Sequence, residues 1–209
     1  GGANSDLVDY SDSSTGINLT LLDSGATVSV SHNIGGVASD SLTNIEGIKG
    51  STTASNTLIG NNMNNTLIGG NQTDTIKGVS GNNSLSGGAG NDTIFAGTGS
   101  DIIDGGAGND DWLYYTDLAS TNVSVNLRNN TATYGSSTDS ITAIEHLKMG
   151  NGTNTVQGNS YANSFIGGTG TDTLSYSEAA SGVTVNVTSA GAGTSSGDGA
   201  DVFTGFENY

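Results

Sequence analysis

The sequence predicts an all-β parallel solenoid, and three observations carry the prediction. A nine-residue period runs through the middle of the chain. Short runs with alternating β-branched residues read as strands, and no capped stretch holds a 3.6-residue period. Only 33% of the 209 residues are hydrophobic, short of the roughly 45–50% of an ordinary globular domain, which suits a thin interior line and not a thick core.

Residues 1–50 read as a spacer module opening on a degenerate repeat, Gly1-Gly2-Ala3-Asn4-Ser5-Asp6. Seven units then keep one phase over 51–113, from STTASNTLI to GGAGNDDWL. Their eighth position is Leu58, Leu67, Ile76, Leu85, Ile94, Ile103 and Trp112, and their sixth is always Asn or Asp. Residues 114–148 form a second spacer. A second block spans 149–175 as MGNGTNTVQ, GNSYANSFI and GGTGTDTLS, with Val156, Phe165 and Leu174 at the apolar position. A third spacer covers 176–209. Each spacer has an opening tyrosine (Tyr10, Tyr115, Tyr176), an alternating strand, and a closing acidic pair: Asp40 with Glu46, Asp139 with Glu145, Asp201 with Glu207. One continuous solenoid is expected, with the spacers as wider coils. Because repeats follow the first two spacers, the third is expected to be truncated and the chain to be a monomeric fragment of a longer array.

Twenty acidic residues face four basic ones, and the net charge of -16 argues against nucleic acid or an anionic membrane as partner and for cations. High acidity with few aromatics can also signal disorder, but phased repeats decide for order. No apolar run approaches the roughly 18–20 residues of a helical membrane span. Absence of cysteine excludes disulfides and thiolate metal sites.

Parallel strands lie about 4.8 Å apart, so sixth-position residues two turns apart should form columns. One column reads Asn56, Asp74, Asp92 and Asp110; the other reads Asn65, Asn83 and Asp101. Carboxylates about 5 Å apart repel by roughly 1 kcal/mol in water and about 3 kcal/mol at an effective dielectric of 20, which a cation would relieve. Calcium takes six to eight oxygens, and glycine lets a loop turn its carbonyls inward.

The unit resembles the G-G-x-G-x-D-x-U-x nonapeptide of the RTX, or repeat-in-toxin, calcium-binding family. Gly87-Gly88-Ala89-Gly90-Asn91-Asp92-Thr93-Ile94-Phe95 fits every defined position, as does Gly105-Gly106-Ala107-Gly108-Asn109-Asp110 with Trp112 as its apolar residue. The resemblance implies a right-handed β-roll in which two nonapeptides make one coil. It also implies Ca2+ held between loops two turns apart by carboxylates and glycine-loop carbonyls. Carried onto this chain, the metal residues are Asp74, Gly87, Ala89, Asp92, Gly105, Ala107 and Asp110, with weaker sites at Asp101 and Asp172. Gln72, standing in for a loop glycine, is expected to strain or weaken the site at Asp74. Secretion through a type I channel, an extracellular or cell-surface location and a parent such as an adhesin are further implications.

Against each metal assignment stands a plainer one. The Asn positions are expected to satisfy tight turns as amide ladders, and the six closing acids to be solvated or turn-capping. Aligning Tyr115 with Tyr176 makes Asp111, not Asp110, the equivalent of Asp172; Trp112 is expected to pack inside. No nucleophile or acid–base pair stands at an informative spacing, so no catalytic role is expected, and His32 and His146 are read as solvent-exposed. A carbohydrate-binding face is the alternative function.

Overall fold

The computed structural model describes residues 1–118, 121–189 and 191–209. Two ten-stranded, mostly parallel sheets face each other, and consecutive repeats alternate between them. Thr57–Ile59, Thr75–Lys77 and Thr93–Phe95 pair in parallel in one sheet. Thr66–Gly70, Ser84–Ala89 and Ile102–Ala107 do so in the other. One nonapeptide thus supplies one short strand and one turn, and two make a coil.

The strands are short because a single apolar residue per repeat has an interior to enter. Leu19, Leu58, Ile76, Ile94, Leu113, Leu147 and Phe165 stack in register along one sheet, each no more than 1% exposed. Ile48, Leu67, Leu85, Ile103 and Ile141 form the facing column, equally buried. Each such side chain contributes about 1.5–3 kcal/mol of burial, which spreads stability along the stack.

The strand after the seventh repeat corrects the position of Trp112. Trp112 pairs with Thr93 and Leu113 with Ile94, so Leu113 enters the core and Trp112 lies on the outward face. The unit GGAGNDDWL carries one residue more in its loop than its neighbours, and the register moves by one.

The spacers add antiparallel hairpins where wider coils were expected. In the first, Thr27–Asn33 and Val37–Thr43 pair as a separate two-stranded sheet. In the second, Ser124–Asn126, Thr131–Tyr134 and Ser137–Thr142 continue one main sheet antiparallel. In the third, Thr184–Ser189, Ala192–Ser196 and Val202–Thr204 do the same in the other. The one helical element among the described residues is a 3-10 turn, Thr116–Leu118, whose Leu118 is buried.

Candidate metal centre

Just before each short strand, the sixth residue of the repeat turns its side chain back along the edge of the stack. There one oxygen takes the backbone N–H of the residue one coil earlier. Asp74 Oδ1 accepts from Asn56 N at 2.6 Å, Asp92 Oδ1 from Asp74 N at 2.7 Å, and Asp111 Oδ1 from Asp92 N at 2.7 Å. On the other edge Asn83 Oδ1 accepts from Asn65 N at 2.9 Å and Asp101 Oδ1 from Asn83 N at 2.6 Å. In the second block Asp172 Oδ1 accepts from Asn154 N at 2.8 Å.

The second oxygen separates Asp from Asn. Asn83 and Asn56 turn their amide nitrogens to loop carbonyls, Ser80 and Gly81 for the first, Ser51 and Ala54 for the second. A carboxylate cannot donate in this way. Oδ2 of Asp74, Asp92, Asp101, Asp111 and Asp172 is buried with no hydrogen-bond partner, and all five residues are no more than 1% exposed. Buried anionic oxygens without donors are strongly unfavourable, and burial accordingly pushes all five carboxyls up, Asp92 to about 7 and Asp101 to about 6.

Carbonyls of the loop glycines meet these oxygens. A Cβ on Gly69 would lie 2.3 Å from Gly87 O and 2.4 Å from Asp74 Oδ2; one on Gly87 would lie 2.4 Å from Gly105 O and 2.2 Å from Asp92 Oδ2. The space left by the glycine is therefore lined by oxygen from two successive coils. Among the described residues no three His, Cys, Asp or Glu side chains converge, so a cation here must take backbone carbonyls as well as carboxylates. The all-oxygen donor set is that of a hard cation such as calcium.

The anionic column is Asp74, Asp92 and Asp111, with Asn56 below. Asp110 stands outside it: its side chain is 55% exposed and lies 2.8 Å from His146 Nε2. The extra loop residue that moves Leu113 into the core brings Asp111 and not Asp110 to the edge. Of the predicted carbonyls, those of Gly87 and Gly105 point into the column, whereas Ala107 O accepts the N–H of Gly90 and Ala89 lies in register beside Ala107. Gln72 is not among the residues with positive φ, so it replaces glycine without left-handed strain.

Five of the six spacer acids, read from sequence as solvated or turn-capping, extend the columns; Asp40, whose side chain is 48% exposed, does not. Asp139 Oδ1 accepts from Asp101 N at 2.9 Å and Asp201 Oδ1 from Asn163 N at 3.0 Å, and both aspartates are buried. Glu46, Glu145 and Glu207 accept from Asp6, Asp111 and Asp172 N at 3.0, 3.1 and 2.8 Å. Asp101 thus has Asp139 above it where the sequence left it without a neighbour. The legible signal was local: Asp139-Ser140-Ile141 and Glu145-His146-Leu147 each repeat the acid-x-apolar core of the nonapeptide. Opening tyrosines hold the aspartates, with Tyr10, Tyr115 and Tyr176 each donating to Oδ2 of Asp40, Asp139 and Asp201 at 2.9 Å.

The histidines are not solvent-exposed as expected. His32 is buried, its ring 5.2 Å from that of Tyr10 and its Nε2 3.2 Å from Asp40. His146 lies against Trp112 at 4.9 Å, and its Nδ1 accepts the N–H of Ser164 at 2.9 Å. Both ring environments are structural contacts within a spacer or across a coil.

A family model described as the RTX calcium-binding nonapeptide repeat (4 copies) matches residues 51–85, 77–111 and 150–178. No curated protein matches the chain.

Proposed function

The two repeat blocks, residues 51–111 and 150–178, are RTX calcium-binding nonapeptide repeats, and from that premise we propose that the chain is a calcium-dependent structural segment of a secreted bacterial protein and not itself a catalyst. Repeats of this family bind Ca2+. The proposed ligands in the first block are Asp74, Asp92 and Asp111 with the carbonyls of Gly87 and Gly105, and further candidates are Asp101 and Asp172. The observation that carries this reading is the set of five buried, unpartnered Oδ2 atoms.

Metal affinity that the unfolded chain lacks becomes folding free energy. Extracellular modules commonly bind at about 0.1–1 mM, well above the calcium level inside a cell. The chain would leave the cell unfolded, by type I secretion, and fold outside as part of an adhesin or similar long exoprotein. No helix among the described residues is long and apolar enough to cross a membrane.

A circular dichroism titration with calcium against magnesium tests this. A calcium-specific rise in β signal from a chelator-treated chain is expected, and full structure in chelator would overturn it.

One observation favours a second reading, a glycan-binding face. Phe95, Trp112 and Tyr114 cluster on the outward side of one sheet with ring centroids 4.8 and 5.9 Å apart. Lys77 lies 4.0 Å over Phe95 and Lys148 5.2 Å over Tyr114, gathering two of the chain's four basic residues. Trp112→Ala should abolish retention on a polysaccharide column if this face binds sugar, with calcium binding unaffected.

A further inference from the structure

We propose that the second and third spacers complete two more calcium sites, one from Asp111, the Ala143 carbonyl and Glu145, the other from Asp172, the Gly205 carbonyl and Glu207. The proposal rests on the calcium reading above and extends it to segments that the repeat family does not cover.

Within the repeats, the space beside a first-position glycine is closed by a carbonyl of the next coil and by the unpartnered oxygen of the loop's own aspartate. The third spacer reproduces this arrangement without the repeat sequence, and the second supplies the matching carbonyl, with Asp111 Oδ2 lying instead beside Gly108. A Cβ on Gly167 would lie 2.0 Å from Gly205 O and 2.9 Å from Asp172 Oδ2. One on Gly105 would lie 1.9 Å from Ala143 O and 2.9 Å from the Asp111 Cβ. The carbonyls are turned there by one backbone device, since Ala143 and Gly205 occupy the same place in the closing segment with φ of 50° and 74°. Asn44 of the first spacer matches them at 53°. A non-glycine residue in the left-handed region is uncommon, and its recurrence at this point marks a carbonyl direction that the fold maintains.

The glutamate then takes the place of the next loop's aspartate. Glu145 and Glu207 each accept the N–H of the aspartate below, as Asp111 does for Asp92. A ladder alone needs one oxygen, and asparagine supplies it at Asn56, which accepts from Ile17 N, and at Asn83, which accepts from Asn65 N. At the junctions each ladder instead sets a second carboxylate against an aspartate that is at most 1% exposed and whose Oδ2 has no partner. Two carboxylates and a carbonyl at each junction, with the aspartate Oδ2 left without a donor, suit a divalent hard cation. The first spacer is not included, because Asp6 Oδ2 already accepts the N–H of Gly2.

Calcium stoichiometry by equilibrium dialysis and terbium luminescence test the proposal on the whole chain. Gln keeps an oxygen for the N–H donor, so Glu145→Gln and Glu207→Gln should preserve the ladder and fold. Each is expected to bind about one calcium ion fewer per chain than the parent. Trp112, the single tryptophan, adjoins Asp111 and contacts His146. Tryptophan-sensitised terbium emission should therefore fall in Glu145→Gln and persist in Glu207→Gln. Should Glu145→Gln not fold, the stoichiometry of Glu207→Gln decides. If both variants bind as many ions as the parent while Asp92→Asn binds fewer, the junction sites are overturned and the repeat sites stand. If the parent binds none, both readings fall.

Discussion

Asp110 and Asp111 are adjacent in sequence and opposite in fate. Asp111 accepts the N–H of Asp92 at 2.7 Å and buries an oxygen that has no hydrogen-bond partner, while Asp110 faces solvent beside His146. Ligand charge count is a main determinant of calcium affinity. Asp111→Asn is therefore expected to raise the calcium midpoint of folding on the order of tenfold, because it removes one charge from the column. Asp110→Asn should leave the midpoint within about twofold, since an exposed pair to histidine contributes little. Two titrations followed by circular dichroism decide, and equal midpoints would sink the assignment of Asp111 to the column.

The nine-residue period made most of this fold legible. It located Leu58, Leu67, Ile76, Leu85, Ile94 and Ile103 in the interior and put Asp74 and Asp92 in one column and Asn65, Asn83 and Asp101 in the other. Glu46 and Asp139 make that second edge acidic as well. Counting failed where the count itself changed. In GGAGNDDWL the repeat count makes Asp110 sixth, whereas aligning Tyr115 with Tyr176 points to Asp111 and an extra residue, and strand pairing, with Trp112 opposite Thr93, decides for the second. The spacer acids read as solvated or turn-capping for a different reason. They recur six residues apart, not nine, so a search at the repeat period passes over them, although Glu46, Glu145 and Asp201 each precede a strand as the repeat aspartates do. Their hairpins follow from contacts between non-adjacent segments, which no local pattern announces.

Without calcium, stability should fall as pH rises. Burial lifts Asp92 to about 7 and Asp101 to about 6 from 3.8, so the folded state holds more protons than the unfolded one in between. The contribution is complete below about pH 4 and is lost as pH climbs through the folded values, a change of roughly 2–4 kcal/mol with coupling allowed for. Calcium needs the ionised form, so the loaded protein should lose affinity on acidification and release protons on binding. The residual β signal by circular dichroism in chelator, compared at about pH 5 and pH 8, checks the sign. A larger signal at the alkaline end would contradict it.

The three tyrosine–aspartate pairs share one distance and differ in burial, which ranks their variants. Asp139 is fully buried, so Tyr115→Phe leaves an acceptor without a donor and should cost about 1–3 kcal/mol. Asp201 Oδ2 also accepts from Ser195 at 2.9 Å, so Tyr176→Phe should cost less. The Asp40 side chain is 48% exposed, and water can replace the hydroxyl in Tyr10→Phe, for about 0.5 kcal/mol or below. Denaturant midpoints in saturating calcium give the order. A Tyr10 variant as damaging as the Tyr115 variant would show that the pairs act through packing and not through the hydrogen bond.

Val79 should be a site where one substitution stabilises the protein. It occupies the second position of its repeat, where Gly88, Gly97 and Gly106 stand at φ of 107°, 83° and 104°, and it is held at 71°. A β-branched side chain in that region crowds its own backbone at a cost of about 1–3 kcal/mol. Val79 is 38% exposed, so replacing it forfeits little burial. Glycine also gains freedom in the unfolded chain, which opposes the benefit by roughly 0.5–1 kcal/mol. Relief of strain exceeds that loss, and Val79→Gly is expected to stabilise by about 1 kcal/mol. Val79→Ala should do less, because alanine removes the branching and keeps a Cβ at positive φ. Chemical denaturation at fixed calcium measures both, and a Val79→Gly variant less stable than the parent would mean that the side chain packs for more than its exposure suggests.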